Sequence, residues 1–217
     1  MNIQKGKTEF LMGIDKVDQL QSWLNEHAFA KGIAFIGRSN VGKSSLINSL
    51  FGKDTARVSK TPGRTRQVNI FSFNVIEPAT KKEESFYLFD VPGYGFAEAS
   101  KEMTANWQNL MDSFFALCSD KILLMCIQDS RHPLQDADIV FQNYIKSFDL
   151  DTFVLFNKMD KLKTQSERSR LEKLKPDIFK EFKWVKEVHF VSAEKGTGIA
   201  KVEQSMITFV KRESLIP

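Results

Sequence analysis

Cysteine is nearly absent from this 217-residue chain, which has only Cys118 and Cys126. Two thiols cannot build a disulfide framework, and nothing beside them has metal-ligand spacing, so both read as buried thiols of a reducing compartment. Long apolar runs are missing too. No segment approaches about 18 uninterrupted apolar residues, and Met1 to Phe10 is polar and mixed in charge without an apolar stretch. Neither export nor a membrane span is expected, and the expected setting is the cytoplasm. Internal repeats and low-complexity segments are also lacking, which excludes a solenoid of repeats. What is present suffices for one core: hydrophobic residues make up 42% of the chain, including 19 Phe. The net charge of +4 is unevenly placed, since Lys158 to Pro217 holds 14 Lys/Arg against 9 Asp/Glu. A basic C-terminal third fits a nucleic-acid surface or simply a solvated face.

Gly37-Arg38-Ser39-Asn40-Val41-Gly42-Lys43-Ser44 matches G-x-x-x-x-G-K-[ST] at every fixed position. The apolar run Ile33 to Ile36 before it predicts a buried parallel strand, and Leu46, Ile47 and Leu50 after it keep helix spacing. Strand, loop and helix in that order suit a phosphate cradle, whereas an accidental match would be a mere Gly-containing turn. The two glycines allow successive N–H groups to point inward at an anion at the helix start. Lys43 would reach the β- and γ-phosphates, and the Ser44 hydroxyl would ligate Mg²⁺.

Elsewhere the pattern alternates strands with helices, which predicts an α/β fold with a mostly parallel sheet covered on both faces. Val17, Leu20, Trp23 and Leu24 form an amphipathic piece that caps the sheet or begins a helix. Phe51 to Gln67 is a long connection with five basic residues, Lys53, Arg57, Lys60, Arg64 and Arg66, against Asp54 alone; a loop of this length is usually functional or mobile. Val68 to Ile76 and Phe86 to Val91 predict a hairpin around Pro78. Helix spacing recurs from Met103 to Cys118, with Trp107 read as a packing residue, and again through Ile139, Val140, Tyr144 and Ile145. Strands are expected at Ile122 to Ile127, Phe153 to Phe156 and Glu187 to Val191, a helix broken at Pro176, and a closing helix from Ile199 to Val210.

Three further motifs each follow a predicted strand, where an open α/β sheet binds its ligands. Asp90-Val91-Pro92-Gly93 has the spacing of a carboxylate that holds Mg²⁺ directly or through water, followed by a Gly whose N–H senses a γ-phosphate; alone it would be a turn. Asn157-Lys158-Met159-Asp160 offers a carboxylate able to accept the N1–H and 2-amino group of guanine, with Asn157 and Lys158 bracing the base. Ser192-Ala193 can give a backbone N–H to the 6-oxo group. Taken singly, these are a polar helix start and a strand end. His132, with Asp129 and Arg131, follows a strand distant in order from the phosphate motifs, so structural or partner-binding roles are favoured over catalysis.

Together Gly37 to Asn48, Thr61-Pro-Gly-Arg-Thr65, Asp90-Val-Pro-Gly-Tyr-Gly-Phe-Ala97 and Asp129-Ser-Arg-His132 resemble the EngB family of ribosome-biogenesis GTP-binding proteins, within the TRAFAC class of P-loop GTPases. The resemblance runs from Ile33 to Val210, and the first thirty residues match it poorly. It implies the three-layer P-loop GTPase fold with one antiparallel edge strand: residues 1–31 an extension packing on the domain, residues 32–217 the GTPase domain. It also implies Mg²⁺ ligation by Ser44 and Thr65, and nucleotide contacts from Ser45, from Gly63, Arg64, Thr65, Arg66 and Gln67, and from Val191 beside Ser192 and Ala193. Asn157 stands where many members have Thr, and Arg66-Gln67 where a Gln directly after Thr65 is frequent. By resemblance the partners are GTP and GDP and a large-ribosomal-subunit precursor, rRNA and ribosomal proteins together; a monomer is expected. Tyr94 stands where Ras-type enzymes carry the water-orienting Gln, which disfavours a small signalling GTPase and implies slow hydrolysis. Candidates for assisting the chemistry are Lys43, Thr65 and Asn40; the last is read either as a K⁺-binding residue, as in superfamily relatives, or as a brace of its own loop.

Overall fold

The computed structural model describes residues 1–28, 30–56, 67–94 and 101–212, the side chains of 101–104 excepted. The chain opens with two strands, β1 (Asn2–Ile3) and β2 (Glu9–Ile14), and a helix, α1 (Val17–Glu26). Then come β3 (Gly32–Gly37), α2 (Lys43–Phe51), the hairpin of β4 (Val68–Ile76) and β5 (Glu83–Asp90), and α3 (Lys101–Cys118). The second half alternates regularly: β6 (Ile122–Asp129), α4 (Asp136–Ile145), β7 (Thr152–Asn157), α5 (Gln165–Glu181), β8 (Val185–Phe190) and α6 (Ile199–Val210).

All eight strands share one sheet, ordered β1-β4-β5-β3-β6-β7-β8 with β2 also on β4. From β5 to β8 the pairs are parallel, and β4 joins β5 antiparallel, so the antiparallel part lies at one edge as expected. The N-terminal strands add to it: β1 pairs with the Val75–Ile76 end of β4 and β2 with the Val68–Ser72 end. Sequence periodicity does not reveal these strands, because Glu9, Phe10 and Leu11 of β2 are exposed and each strand buries a single apolar residue deeply, Ile3 or Ile14.

Parallel strands buried on both faces read as continuous apolar runs, and β3, β6 and β7 are buried along their whole length. Their side chains divide by parity. Ala34, Ile36, Leu124 and Cys126 pack under α1, α3, α4 and α5, while Ile33, Phe35, Leu123 and Met125 pack under α2 and α6. Both cysteines are buried thiols, as expected, and burial pushes Cys118 up to about 12. Trp107 is half-buried against the first of these cores.

Three expectations change. Helix α5 runs through Pro176: Leu171 and Ile178 are buried on either side of it, and this tertiary anchoring outweighs the lost backbone bond. The strand expected at Glu187 to Val191 is β8, which begins two residues earlier and ends one earlier, with Val185 and Val188 buried. Helix α4 is rotated from its sequence pattern. Ile139 and Val140 are 37% and 67% exposed, and the inward face is Asp138, Phe141, Gln142 and Ile145.

The sheet positions the site because chain order reverses at β3, with β5 on one side and β6 on the other. The ends of β3, β5, β6 and β7, namely Gly37, Asp90, Asp129 and Asn157, open on the same edge, the place where such sheets hold ligands.

Candidate functional site

The loop from Gly37 to Gly42 owes its path to two left-handed residues and one close approach. Asn40 has φ 64° and Gly42 φ 92°. A Cβ on Gly42 would lie 2.5 Å from Asn157 Nδ2, so the position takes no side chain. Helix α2 starts at Lys43 with Gly42 as its N-cap, and no side chain caps it, leaving its first N–H groups aimed along the loop. Ser39, Asn40 and Ser45 are exposed there and Ser44 is half-buried. The carbonyls are tied on the other side: Val41 O accepts from Asn157 Nδ2 at 3.0 Å, and Asn40 O accepts from the Lys158 ammonium. Holding these carbonyls on one side leaves the other to the amides of an anion nest; the Val41 N–H itself bonds Arg38 O at 3.5 Å.

Lys43 lies on Asp90, its ammonium bonded to the carboxylate Oδ1 and, at 2.9 Å, to the carbonyl of Val91. Asp90 is 5% exposed, and Val91, Pro92 and Gly93 are buried with it. A lysine so placed shows that the Asp90 carboxylate is turned toward the cradle. The Ser44 hydroxyl and the Asp90 carboxylate fit Mg²⁺: both are hard oxygen donors, and that ion is commonly held by one or two protein oxygens plus phosphates and water rather than a protein cage. Among the described residues no cluster of three His, Cys, Asp or Glu exists. Gly63, Arg64, Thr65 and Arg66 lie outside the described residues. Gln67 is exposed, and its amide donates to Asp15 at 3.4 Å.

At the other end Asp160 accepts the Ser192 hydroxyl at 2.6 Å and faces Lys161 at 3.0 Å. Burial pushes its carboxyl up, but these bonds outweigh burial and hold it below its ordinary value. An ionised carboxylate is acceptor-only, which matches the paired donors on guanine. Met159 N–H donates to Val191 O at 3.1 Å, joining this turn to the end of β8.

Four of the expected nucleotide-contacting groups make bonds within the protein. Asn157 is 2% exposed; besides donating to Val41 O it accepts the Ala193 N–H at 3.1 Å, clamping phosphate loop to base loop. Lys158 is spent on Asn40 and on Asp129 Oδ2 at 2.9 Å. The amides offered to the base oxygen are engaged, Ser192 N–H with Thr197 O at 3.0 Å and Ala193 with Asn157. The Arg38 side chain turns away from the cradle to Asp138 Oδ1, with Nε at 2.8 Å.

That last contact exposes a group the sequence reading missed. Asp138 is fully buried and also accepts the Tyr94 hydroxyl at 2.9 Å and the Gln135 N–H at 3.1 Å. Tyr94 stacks on Phe141 with centroids 4.2 Å apart. Burial, then the Asp138 charge, pushes the Tyr94 phenol well above its ordinary value, so it remains a donor. The Gln135-x-x-Asp138 capping-box spacing was the available signal for a special acid at this position. His132 is exposed, and Asp129 holds Arg131 instead, at 2.9 Å from Nε and 2.6 Å from Nη2.

Comparison with known proteins points to one family. A family described as 50S ribosome-binding GTPase matches residues 32–158. The probable GTP-binding protein EngB of Thermotoga petrophila is 35% identical over 82% of this chain and 86% of its own. That of Clostridium botulinum is 41% identical over 68% of this chain and 70% of its own. A solved probable GTP-binding protein EngB superposes with a TM-score of 0.57 at 25% identity, covering 82% of this chain and 97% of that one. Era of Aquifex aeolicus shares the fold at a TM-score of 0.63 and 24% identity; this chain spans 60% of its length and 87% of this chain is covered.

Proposed function

Because this chain belongs to the EngB family of GTP-binding proteins and is a GTPase, we propose that it is a slow, Mg²⁺-dependent molecular switch that acts in the cytoplasm on a precursor of the large ribosomal subunit. The observation that carries the nucleotide half is the Asn157 clamp: one buried amide holds Val41 of the phosphate loop and Ala193 of the base loop, fixing both ends of the cleft at one spacing. Lys43 and the amides of the loop would hold phosphates, Asp160 the base, and Ser44 with Asp90 the metal. When bound, Mg²⁺ neutralises phosphate charge and orients the terminal phosphates. Thr65, outside the described residues, is assigned a further metal contact by family resemblance.

Tyr94 supports slow turnover, since its hydroxyl is committed to Asp138 and cannot offer water both an acceptor and a donor. The ribosomal half draws on the matched family's description and on the basic residues after Lys158, whose attraction for rRNA falls with salt. Era, which shares the fold, has been solved with Mg-GDPNP and a segment of 16S rRNA. The protein is taken to act as a monomer. No helix among the described residues is long and apolar enough to cross a membrane.

The test is co-sedimentation with large-subunit particles in GTP analogue, GDP and no nucleotide, over a salt series. Retention with the analogue alone, falling with salt, is expected. Equal retention in all three would make the protein a nucleotide-stabilised binding module whose turnover is incidental.

A further inference from the structure

The geometry points to Asp129, braced by Arg131, as a positioning residue for nucleotide binding: it holds the Lys158 ammonium against the carbonyl of Asn40 and so keeps the phosphate loop's amides turned inward. The inference rests on the nucleotide-binding reading above and adds to it a residue outside the four nucleotide motifs.

Asp129 ends β6 directly opposite Asn157 on β7, and it is 6% exposed. Its Oδ1 accepts from the Arg131 N–H at 3.0 Å and Nε at 2.9 Å, and its Oδ2 accepts from Arg131 Nη2 at 2.6 Å and Lys158 Nζ at 2.9 Å. The guanidinium fork fixes the plane of the carboxylate, which a single donor would leave free to rotate. Once fixed, Oδ2 has one direction in which to take the ammonium. Burial pushes the Asp129 carboxyl up, but the bonds from Arg131 and Lys158 outweigh it and keep the group ionised.

Lys158 needs such a partner. Its backbone is left-handed at φ 70°, and its side chain is a flexible stem ending in a strongly hydrated charge that is still 22% exposed. Without Asp129 the ammonium has water as its alternative and no fixed place. With it, the same ammonium is presented to Asn40 O, the carbonyl of a second left-handed residue. Alternating left-handed residues orient neighbouring amides to one side only if the intervening carbonyls stay on the other. Asn157 secures the carbonyl of Val41, and Asp129, through Lys158, secures that of Asn40.

The competing account is that Asp129 only shapes the turn after β6 through the Arg131 N–H. Stopped-flow displacement of mant-GDP from the full chain separates the two. Asp129→Asn keeps an acceptor for the turn but loses the charge that holds Lys158, and should speed dissociation about tenfold, the scale of one charge-assisted hydrogen bond, with association little changed. In a Lys158→Met background the same substitution should add nothing. Selectivity for guanine over xanthine nucleotide should hold, because Asp160 is untouched. Arg131→Ala, at a side chain 44% exposed, is the second variant should Asp129→Asn fold poorly, and it should speed dissociation by a smaller factor at an unaltered urea midpoint. A dissociation rate unchanged in both variants would overturn the inference, and so would an equal acceleration by Asp129→Asn with and without Lys158. Failure of the wild-type protein to retain mant-GDP would instead overturn the nucleotide reading beneath it.

Discussion

Replacing Asp138 with Ala should destabilise the protein far more than a substitution on α4 normally does, because this one carboxylate serves three separate parts of the chain. It accepts from Arg38 of the phosphate loop, Tyr94 beyond β5 and Gln135 at the start of its own helix, all within 3.1 Å, and it is wholly buried. The magnitude follows from what each donor loses. Tyr94 is 6% exposed, so its hydroxyl is stranded, at about 1–3 kcal/mol. The helix loses its cap, about 1 kcal/mol. Arg38 is 21% exposed and can turn to water, which puts its share well under the ~3–5 kcal/mol of a fully buried pair. The total is about 3–4 kcal/mol, a large fraction of a typical 5–15 kcal/mol. Tyr94→Phe, which removes only the hydroxyl, should cost about 1 kcal/mol. Urea unfolding of wild type, both single variants and the double variant measures this directly. The double variant should fall short of additivity by about 1 kcal/mol, since the shared bond can be lost only once. An Asp138→Ala variant within about 1 kcal/mol of wild type, or strict additivity, would refute the reasoning.

Other outcomes follow from the same structure. Asp160→Asn should weaken GTP binding by about tenfold or more and favour xanthosine nucleotide, whose 2-oxo group wants a donor; unchanged selectivity in a competition assay would remove Asp160 from base recognition. Burial pushes the His189 imidazole below its ordinary value against the opposing pull of Glu187. The unfolded chain therefore takes up this proton first, so the stability linked to His189 is complete above about pH 6.5 and is lost as pH falls through the lower folded value. Melting temperatures between pH 7.5 and 5.5 should drop less for His189→Gln than for wild type; equal slopes would count against the buried neutral form. Single-turnover hydrolysis should be slow, and faster in K⁺ than in Na⁺, with Asn40→Ala abolishing the difference while still binding GTP. Identical rates in both salts, with and without ribosomal particles, would end the cation role.

How far the sequence could be read depended on whether the force shaping an element was local to it. Strands β3, β6 and β7 are buried on both faces, so their apolar runs announce them, and the phosphate loop is visible because its glycines answer to backbone geometry within eight residues. Strand β2 is different: its register comes from pairing with β4, over fifty residues away, and three of its side chains face solvent. Helix α4 misleads for a related reason. Periodicity assigns the inward face to its apolar residues, but Arg38 and Tyr94 make a buried aspartate affordable and so rotate Asp138 inward, leaving Val140 outside. Lys158 and Asn157 lie in a legible motif, yet their use as clamps depends on Asp129, Asn40 and Ala193, which only the sheet brings alongside.

The same long-range contacts bear on how a switch of this kind is wired. In a Ras-type site the side chain after Asp-x-x-Gly reaches toward the attacking water. Here Tyr94 points the other way, its ring flat on Phe141 at an interplanar angle of 3° and its hydroxyl on Asp138. The Gly93 amide and the Arg38 end of the phosphate loop are therefore joined through one buried carboxylate on α4. A displacement of Gly93 toward a γ-phosphate has to stretch, carry or break the Tyr94–Asp138 bond, and each choice alters the partners left to Arg38. Packed interfaces of this kind respond in steps rather than by continuous deformation. A side chain committed to that linkage is unavailable for orienting water, which is the arrangement that the slow switch proposed above requires.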